Sequence, residues 1–231
     1  MERHLVFVTG GTGYMGSRLL PALVARGHRV RALVRPGSER KLPPGCESVL
    51  GDALDASSFL ERVSPCDTFV QLVGVSHPSP AKAPEFRTVD RAACRAGVEA
   101  ARSAGVHHFV YVSVAQPAPV MKAYVAARRE GERAVREAGF PSVTVLRPWY
   151  VLGPGHQWPR LLSPAYWVWE HLPATREAAQ RLGLVTLPQM VAALVAAVEA
   201  PPRGVRVVEV PEIRRMGVAG FEDEMTGPGA L

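Results

Sequence analysis

The residues with the clearest chemical capacity stand near the start of the chain. Thr9-Gly10-Gly11-Thr12-Gly13-Tyr14-Met15-Gly16 follows the apolar run LVFVT and opens a helical pattern. Glycines at this spacing have separate tasks. Gly10 permits a tight turn, Gly13 lets the backbone approach a pyrophosphate, and Gly16 lets the helix pack close to the strand. The amides at the helix start, around Thr12, Tyr14 and Met15, then face the phosphates, where the helix dipole favours negative charge. A glycine pattern alone is weak, but this one lies between a strand and a helix, the context that marks a dinucleotide site.

The end of the second strand bears on which dinucleotide. An acidic residue there, about 20 residues beyond the glycines, holds the ribose 2′-hydroxyl of NAD. This chain has Val34-Arg35-Pro36-Gly37-Ser38 instead. Arg35 suits a 2′-phosphate, and Arg31, Arg40 and Lys41 add charge nearby, so NADP(H) is expected over NAD. In Gly51-Asp52-Ala53, Asp52 is placed to accept a hydrogen bond from the adenine amino group. In Val73-Gly74-Val75, Gly74 lets the backbone run along the cofactor.

These groups need a frame to hold them. Short strands (Leu5–Thr9, Arg29–Val34, Ser48–Leu50, Thr68–Val73, Phe109–Val114 and Ser142–Arg147) alternate with helical patterns. Helices are expected from about Tyr14 to Arg26, from an Asp55 cap to Val63, from Glu85 to Ser103 and from Met121 to Ala138. Strands that are apolar on both sides and separated by helices imply an α/β fold, a doubly wound parallel sheet of Rossmann type. Residues 1–155 read as the nucleotide-binding domain and residues 156–231 as a small C-terminal substrate-side lobe. The lobe would hold a helix near Pro188–Glu199 and return to the sheet through Val205–Val210. Trp158, Tyr166, Trp167 and Trp169 fall within twelve residues of it and, with Trp149, are expected to line or cover the substrate cleft.

Composition narrows the classes. Hydrophobic residues make up 47% and charged residues 21%, which suits a folded globular chain. The exception is the tail after Met216, rich in glycine and acidic residues, where disorder is expected. The net charge is +6, yet the arginines are scattered and no long basic run is interleaved with aromatics, so no nucleic-acid partner is expected. Cys46, Cys66 and Cys94 form neither a CxxC pair nor an even set, so neither a metal site nor a disulfide framework follows and a reduced, cytoplasmic setting is the default. The first residues already read as a strand, with no signal-peptide pattern. Leu184–Ala200 is apolar but contains Pro188, Gln189 and Glu199, and it reads as a core helix with no membrane partner.

Taken with Gly27-His28-Arg29-Val30, Phe109-Val110-Tyr111-Val112-Ser113 and Leu146-Arg147-Pro148, the glycine loop and Gly51-Asp52 give a chain that resembles the short-chain dehydrogenase/reductase superfamily. More narrowly, it is similar to the extended and atypical members, of epimerase/dehydratase-like or NmrA-like type. The resemblance implies a catalytic serine, matched by Ser113, and a Tyr-x-x-x-Lys pair, matched at Tyr124 but with Arg128 in place of the lysine. It also implies that Pro148-Trp149-Tyr150-Val151 runs beside the nicotinamide, with Pro148 and Val151 as cofactor contacts. The chemistry is simple to state. Moving hydride at a carbinol carbon requires a proton to move at the oxygen, and a tyrosine hydroxyl can carry it if a nearby cation favours the phenolate. Residues at i and i+4 share a helical face. Arginine keeps the charge but brings a planar fork instead of an ammonium.

The expectation is an NADP(H)-dependent oxidoreductase acting on a small, fairly apolar carbonyl or alcohol. Ser113 and Tyr124 would carry proton transfer and Arg128 would supply charge. The alternatives are an NADP(H)-binding sensor or structural protein without turnover, which the arginine favours, and an epimerase or dehydratase that recycles its cofactor.

Overall fold

A computed structural model describes residues 3–75, 78–154 and 181–217. The strands are β1 (Leu5–Thr9), β2 (Arg29–Val34), β3 (Cys46–Leu50), β4 (Thr68–Gln71), β5 (His108–Val112), β6 (Ser142–Arg147), β7 (Tyr150–Leu152), β8 (Leu184–Thr186) and β9 (Gly204–Glu209). Helices α1 (Gly16–Ala25), α2 (Leu60–Val63), α3 (Ala83–Glu85), α4 (Ala92–Ser103), α5 (Lys122–Glu137) and α6 (Leu187–Glu199) connect them. Seven strands form one parallel sheet in the order β3-β2-β1-β4-β5-β6-β9. In its centre Val8 stands opposite Ala32 on one side and Val70 on the other. β7 and β8 pair in parallel as a separate two-stranded ribbon.

The two-residue period of the strands sorts side chains between two cores. Val6 and Val8 face Leu19, Leu20 and Leu23 of α1 and Met190, Leu194 and Val198 of α6. Phe7 faces the other way, toward Ala96 and Ala100 of α4 and Val135 of α5. On that side Phe59, Phe7, Phe69, Phe109 and Phe140 stack in sequence, with ring centroids 5.0–5.9 Å apart. Both sheet faces are therefore buried, as the unbroken apolar strands require. β9 joins β6 along its full length, and Val208, Val210 and Ile213 enter the first core. Helix α6 is started by a reciprocal cap: Thr186 Oγ1 accepts the Gln189 amide, and the Gln189 side chain accepts the Thr186 amide.

Two expected helices are broken. The stretch from Glu85 to Ser103 is not one α-helix, because residues Phe86–Arg91 form a π-helical turn between α3 and α4. Asp55 does cap a helical turn, accepting the Ser57 amide at 3.0 Å, but that turn is a 3₁₀ turn over Ala56–Ser58, and the chain bends at Phe59 before α2. The aromatics Trp158, Tyr166, Trp167 and Trp169 lie outside the described residues, as does the acidic tail from residue 218 onward.

His108 opens β5 and is 1% exposed, its Nε2 3.0 Å from the Thr144 hydroxyl. Burial, helped by His107 and His4, lowers its pKa to about 4. The folded chain thus prefers neutral His108, while the unfolded chain protonates it near its ordinary value. The stability tied to this is intact above about pH 6.5 and is lost as pH falls toward 4, a total of about 3 kcal/mol. Urea unfolding from pH 7 to 4 is expected to show a flatter profile for His108→Gln than for wild type. Parallel profiles for the two proteins would refute this.

Candidate cofactor and active site

The order of the sheet reverses at β1, which lies between β2 and β4. In such sheets ligands bind in the crevice outside the carboxyl ends of the strands at the reversal, and the glycine loop lies there. Gly10 has φ +76°, and a Cβ on it would press on the backbone of Leu72 and Val73 at 3.1–3.2 Å. A Cβ on Gly16 would overlap the Gly10 carbonyl oxygen, so α1 can start this close to β1 only with glycine there. Gly13 differs: it is exposed, and an added Cβ would meet only the Gly10 carbonyl oxygen, at 3.2 Å. Its Cα side is open. Helix α1 has no side-chain cap and no acidic residue in its first turn, which leaves its positive end to a ligand. Thr12, Tyr14 and Met15 are half-buried around this opening. The Tyr14 hydroxyl donates to the Val151 carbonyl at 3.3 Å, tying the loop to β7.

Arg35 is exposed immediately beyond β2, where its carbonyl accepts the Ser38 amide. Arg40 and Lys41 are exposed in the following 3₁₀ turn. Arg31 does not join them, because its guanidinium is held by Glu47 at 2.9 Å and by the carbonyls of Arg62 and Ser64. Asp52 is exposed after β3 and accepts the Leu54 amide at 2.9 Å, with Ala53 packed beside it against the second core.

Beyond β4, Val73 and Gly74 are half-buried and Val75 is buried. A Cβ on Gly74 would overlap Nη2 of Arg128. Arg128 is itself 5% exposed, so it is no solvated member of the charged run on α5. It pairs with Asp90 at 2.8 Å and donates to the Val112 carbonyl at 2.9 Å. Its guanidinium lies 5.3 Å from the centroid of the Tyr124 ring and 5.9 Å from that of Tyr111. Burial works against its charge, but Tyr124, Tyr111 and Asp90 together raise its pKa, so the cation persists. Burial likewise raises the pKa of Asp90, and Arg128 and the Val75 amide oppose that rise. Tyr124 is half-buried, its ring 5.1 Å from that of Phe86.

Ser113 is 2% exposed, and its hydroxyl donates to Glu132 at 2.5 Å. Glu132 is a buried hub. It also accepts from Gln116 at 2.7 Å and takes two bonds from Arg147, at 2.6 and 2.9 Å, and Arg147 in turn pairs with Glu209. Pro148 accepts the Ala115 amide, Trp149 packs against the first core, and Val151 is half-buried. The structure thus brings Tyr124, Arg128 and Gly74 together and sends the Ser113 proton elsewhere. Sequence reading missed Asp90, hidden in what looked like a plain helix, and Glu132. A signal for Glu132 existed: Arg128, Gly131, Glu132 and Val135 follow an i, i+3, i+4, i+7 stripe, and all four are buried.

Burial pushes the thiols of Cys66 and Cys94 up to about 11, so neither is a ready nucleophile. Among the described residues no three His, Cys, Asp or Glu side chains converge on a metal position, and no helix is long and apolar enough to cross a membrane.

A family model described as NAD(P)H-binding matches residues 10–161. The chain is 32% identical to the ceramide reductase of Caulobacter vibrioides, over 95% of this chain and 68% of that protein. It is 30% identical to the 4-hydroxy-2-methyl-3-oxo-4-farnesyl-3,4-dihydroquinoline-1-oxide ketoreductase of Stigmatella aurantiaca, over 64% of this chain and 50% of that one. Among solved structures, WbmH of Bordetella bronchiseptica in complex with NAD+ superposes with a TM-score of 0.67 at 19% identity, covering 100% of this chain and 85% of its own. MoeE5 with UDP-glucose and NAD gives 0.65 at 24%, covering 96% and 82%. These structural likenesses speak for the fold.

Proposed function

This chain belongs to the NAD(P)H-binding family, and from that premise we propose that it is an NADP(H)-dependent reductase of an apolar carbonyl compound, of the extended short-chain dehydrogenase/reductase type. The observation that carries the proposal is a buried cation, Arg128, held against the half-buried Tyr124 at the carboxyl edge of the sheet.

The residues present fit the cofactor. The open face of Gly13 and the uncapped start of α1 suit a pyrophosphate held by Gly10, Thr12, Gly13, Tyr14, Met15 and Gly16. Asp52 and Ala53 would hold the adenine. Val73, Gly74 and Val75 would flank the nicotinamide half, with Pro148 and Val151. When bound, the nicotinamide supplies or accepts the hydride. Tyr124 hands its proton to the substrate oxygen in reduction, or takes it back in oxidation. Arg128 supplies the positive charge beside the Tyr124 ring. Ser113 acts through Glu132, fixing the loop after β5, since its own proton is committed there.

The substrate class follows from two supports. Tyr124 sits among Val75, Ala83, Phe86, Val89, Met121 and Ala127, an apolar surround. The relatives named above are called a ceramide reductase and a ketoreductase of a farnesylated quinoline, both names for compounds with large apolar parts. An absorbance screen of NADPH oxidation over apolar ketones tests the proposal, and a substrate consumed with equal NADPH supports it. The competing reading, a binder without turnover, is favoured by the engagement of Ser113 with Glu132. It requires tight NADPH binding with no oxidation on any ketone.

For the choice of cofactor, Arg35 is exposed where a 2′-phosphate would lie, with no acid beside it in Val34-Arg35-Pro36. NADPH is expected to bind more tightly than NADH, and Arg35→Ala is expected to lose about 1.5–3 kcal/mol of NADPH affinity only. Titration calorimetry reads both. Equal wild-type affinities would mean that Arg35 makes no such contact.

A further inference from the structure

Two opposite charges are buried together beside Tyr124, and the reaction proposed above uses only one of them. Asp90 is 2% exposed and sits in the π-helical turn that interrupts the helix before α4. One of its oxygens meets Arg128 at 2.8 Å, and the other accepts the Val75 amide at 3.2 Å. The far side of the guanidinium donates to the Val112 carbonyl, and Gly74 lies against Nη2. The cation is thus gripped by the loop after β4, the end of β5 and the π turn, with Tyr124 beside it. A buried ion pair is a weak device for stability, since apolar groups of the same volume often serve as well or better. π turns are rare and occur frequently at functional sites. Both points ask for a use of Asp90 beyond packing.

We propose that Asp90 is a positioning residue for proton transfer: paired with Nη2 while the Val112 carbonyl holds Nη1, it keeps the Arg128 cation beside Tyr124 and away from the cofactor. This rests on the reductase reading. It also accounts for the arginine. An ammonium is a point donor without a fork, and it cannot serve Asp90 and Val112 in the same planar arrangement.

The test compares wild type with Asp90→Asn and with the double variant Asp90→Asn/Arg128→Gln. The asparagine keeps the shape and can still accept the Val75 amide, but removes the charge. The double variant removes both charges, so that neither is left buried without its partner. Tm, the Kd for NADPH by calorimetry, and kcat and KM for a ketone that wild type reduces are measured. Asp90→Asn is expected to lower kcat roughly 10–100-fold, the scale of a misplaced reacting group, with the Kd for NADPH and the KM for the ketone nearly unchanged. The double variant is expected to recover Tm but not kcat. Recovery of kcat together with Tm would overturn the proposal, since the pair would then be structural. A loss of NADPH affinity in Asp90→Asn as large as the loss of kcat would overturn it as well, because the guanidinium would then be serving the cofactor. If Asp90→Asn does not fold, the double variant still separates Tm from kcat. If wild type binds NADPH but reduces no ketone, the reductase reading itself falls and this inference falls with it.

Discussion

Gly13→Val is expected to abolish NADP(H) binding while leaving a folded protein. The two halves of that result have separate causes. An added Cβ on Gly13 meets one carbonyl oxygen at 3.2 Å and nothing else within 4 Å, and Gly13 is not among the glycines with positive φ. The fold therefore gives by a few tenths of an ångström. The added methyls then project into the open side of the loop, where the pyrophosphate must lie against backbone. A loss of affinity beyond about 100-fold is expected, about 2.7 kcal/mol or more. The contrasting variant is Gly16→Val. There the added carbon overlaps the Gly10 carbonyl and crowds the Gly11 backbone, neither of which can move away without breaking the turn. That protein is expected to lose stability as well as binding. Calorimetric titration with NADPH beside thermal unfolding separates the two. A Gly13→Val protein that binds NADPH at wild-type affinity would show that the cofactor does not cross this loop.

Tyr124→Phe is expected to lower turnover by roughly 10²–10⁴, the usual worth of a positioned proton donor, with cofactor affinity nearly unchanged. The ring stays packed against Phe86 and Arg128, so only the hydroxyl is lost. Arg128→Lys is expected to lose activity as well. Arginine at this position is not a longer lysine: Nη1 reaches Val112, Nη2 reaches Asp90, and Gly74 lies flat against the fork. An ammonium satisfies at most part of that arrangement and leaves Asp90 poorly paired in the interior, which is costly. A Tyr124→Phe protein that keeps full activity on a ketone reduced by wild type would remove Tyr124 from the reaction. An Arg128→Lys protein with undiminished activity would show that any cation suffices.

What could be read from the sequence alone had local causes. Thr9–Gly16 specifies a strand, a turn and a helix start within eight consecutive residues. Each glycine there answers a constraint set by its immediate neighbours, so spacing together with the place between a strand and a helix disclosed the tight turn into α1. The parallel sheet was legible for a similar reason: strands such as Phe109–Val112 are apolar on both faces, which only burial on both sides accommodates. The match at Tyr124 and Arg128 was equally visible, because i and i+4 share a helical face in any helix.

The tertiary structure decided what those faces meet. In sequence, Arg128-Arg129-Glu130-Gly131-Glu132-Arg133 is a run of charges of which only Arg128 was assigned a part in the chemistry. In the fold, α5 turns Arg128 and Glu132 inward while Arg133 remains 71% exposed on its side chain. Asp90 looked like one polar residue in a long helix, and only the approach of α5 to the π turn makes it the partner of Arg128. Ser113 matched a catalytic position, yet the direction of its proton depended on Glu132 of α5. Charge pairing is set by a few ångströms between residues far apart in the chain, and the one-dimensional pattern records which face a side chain shares but not what is packed against it.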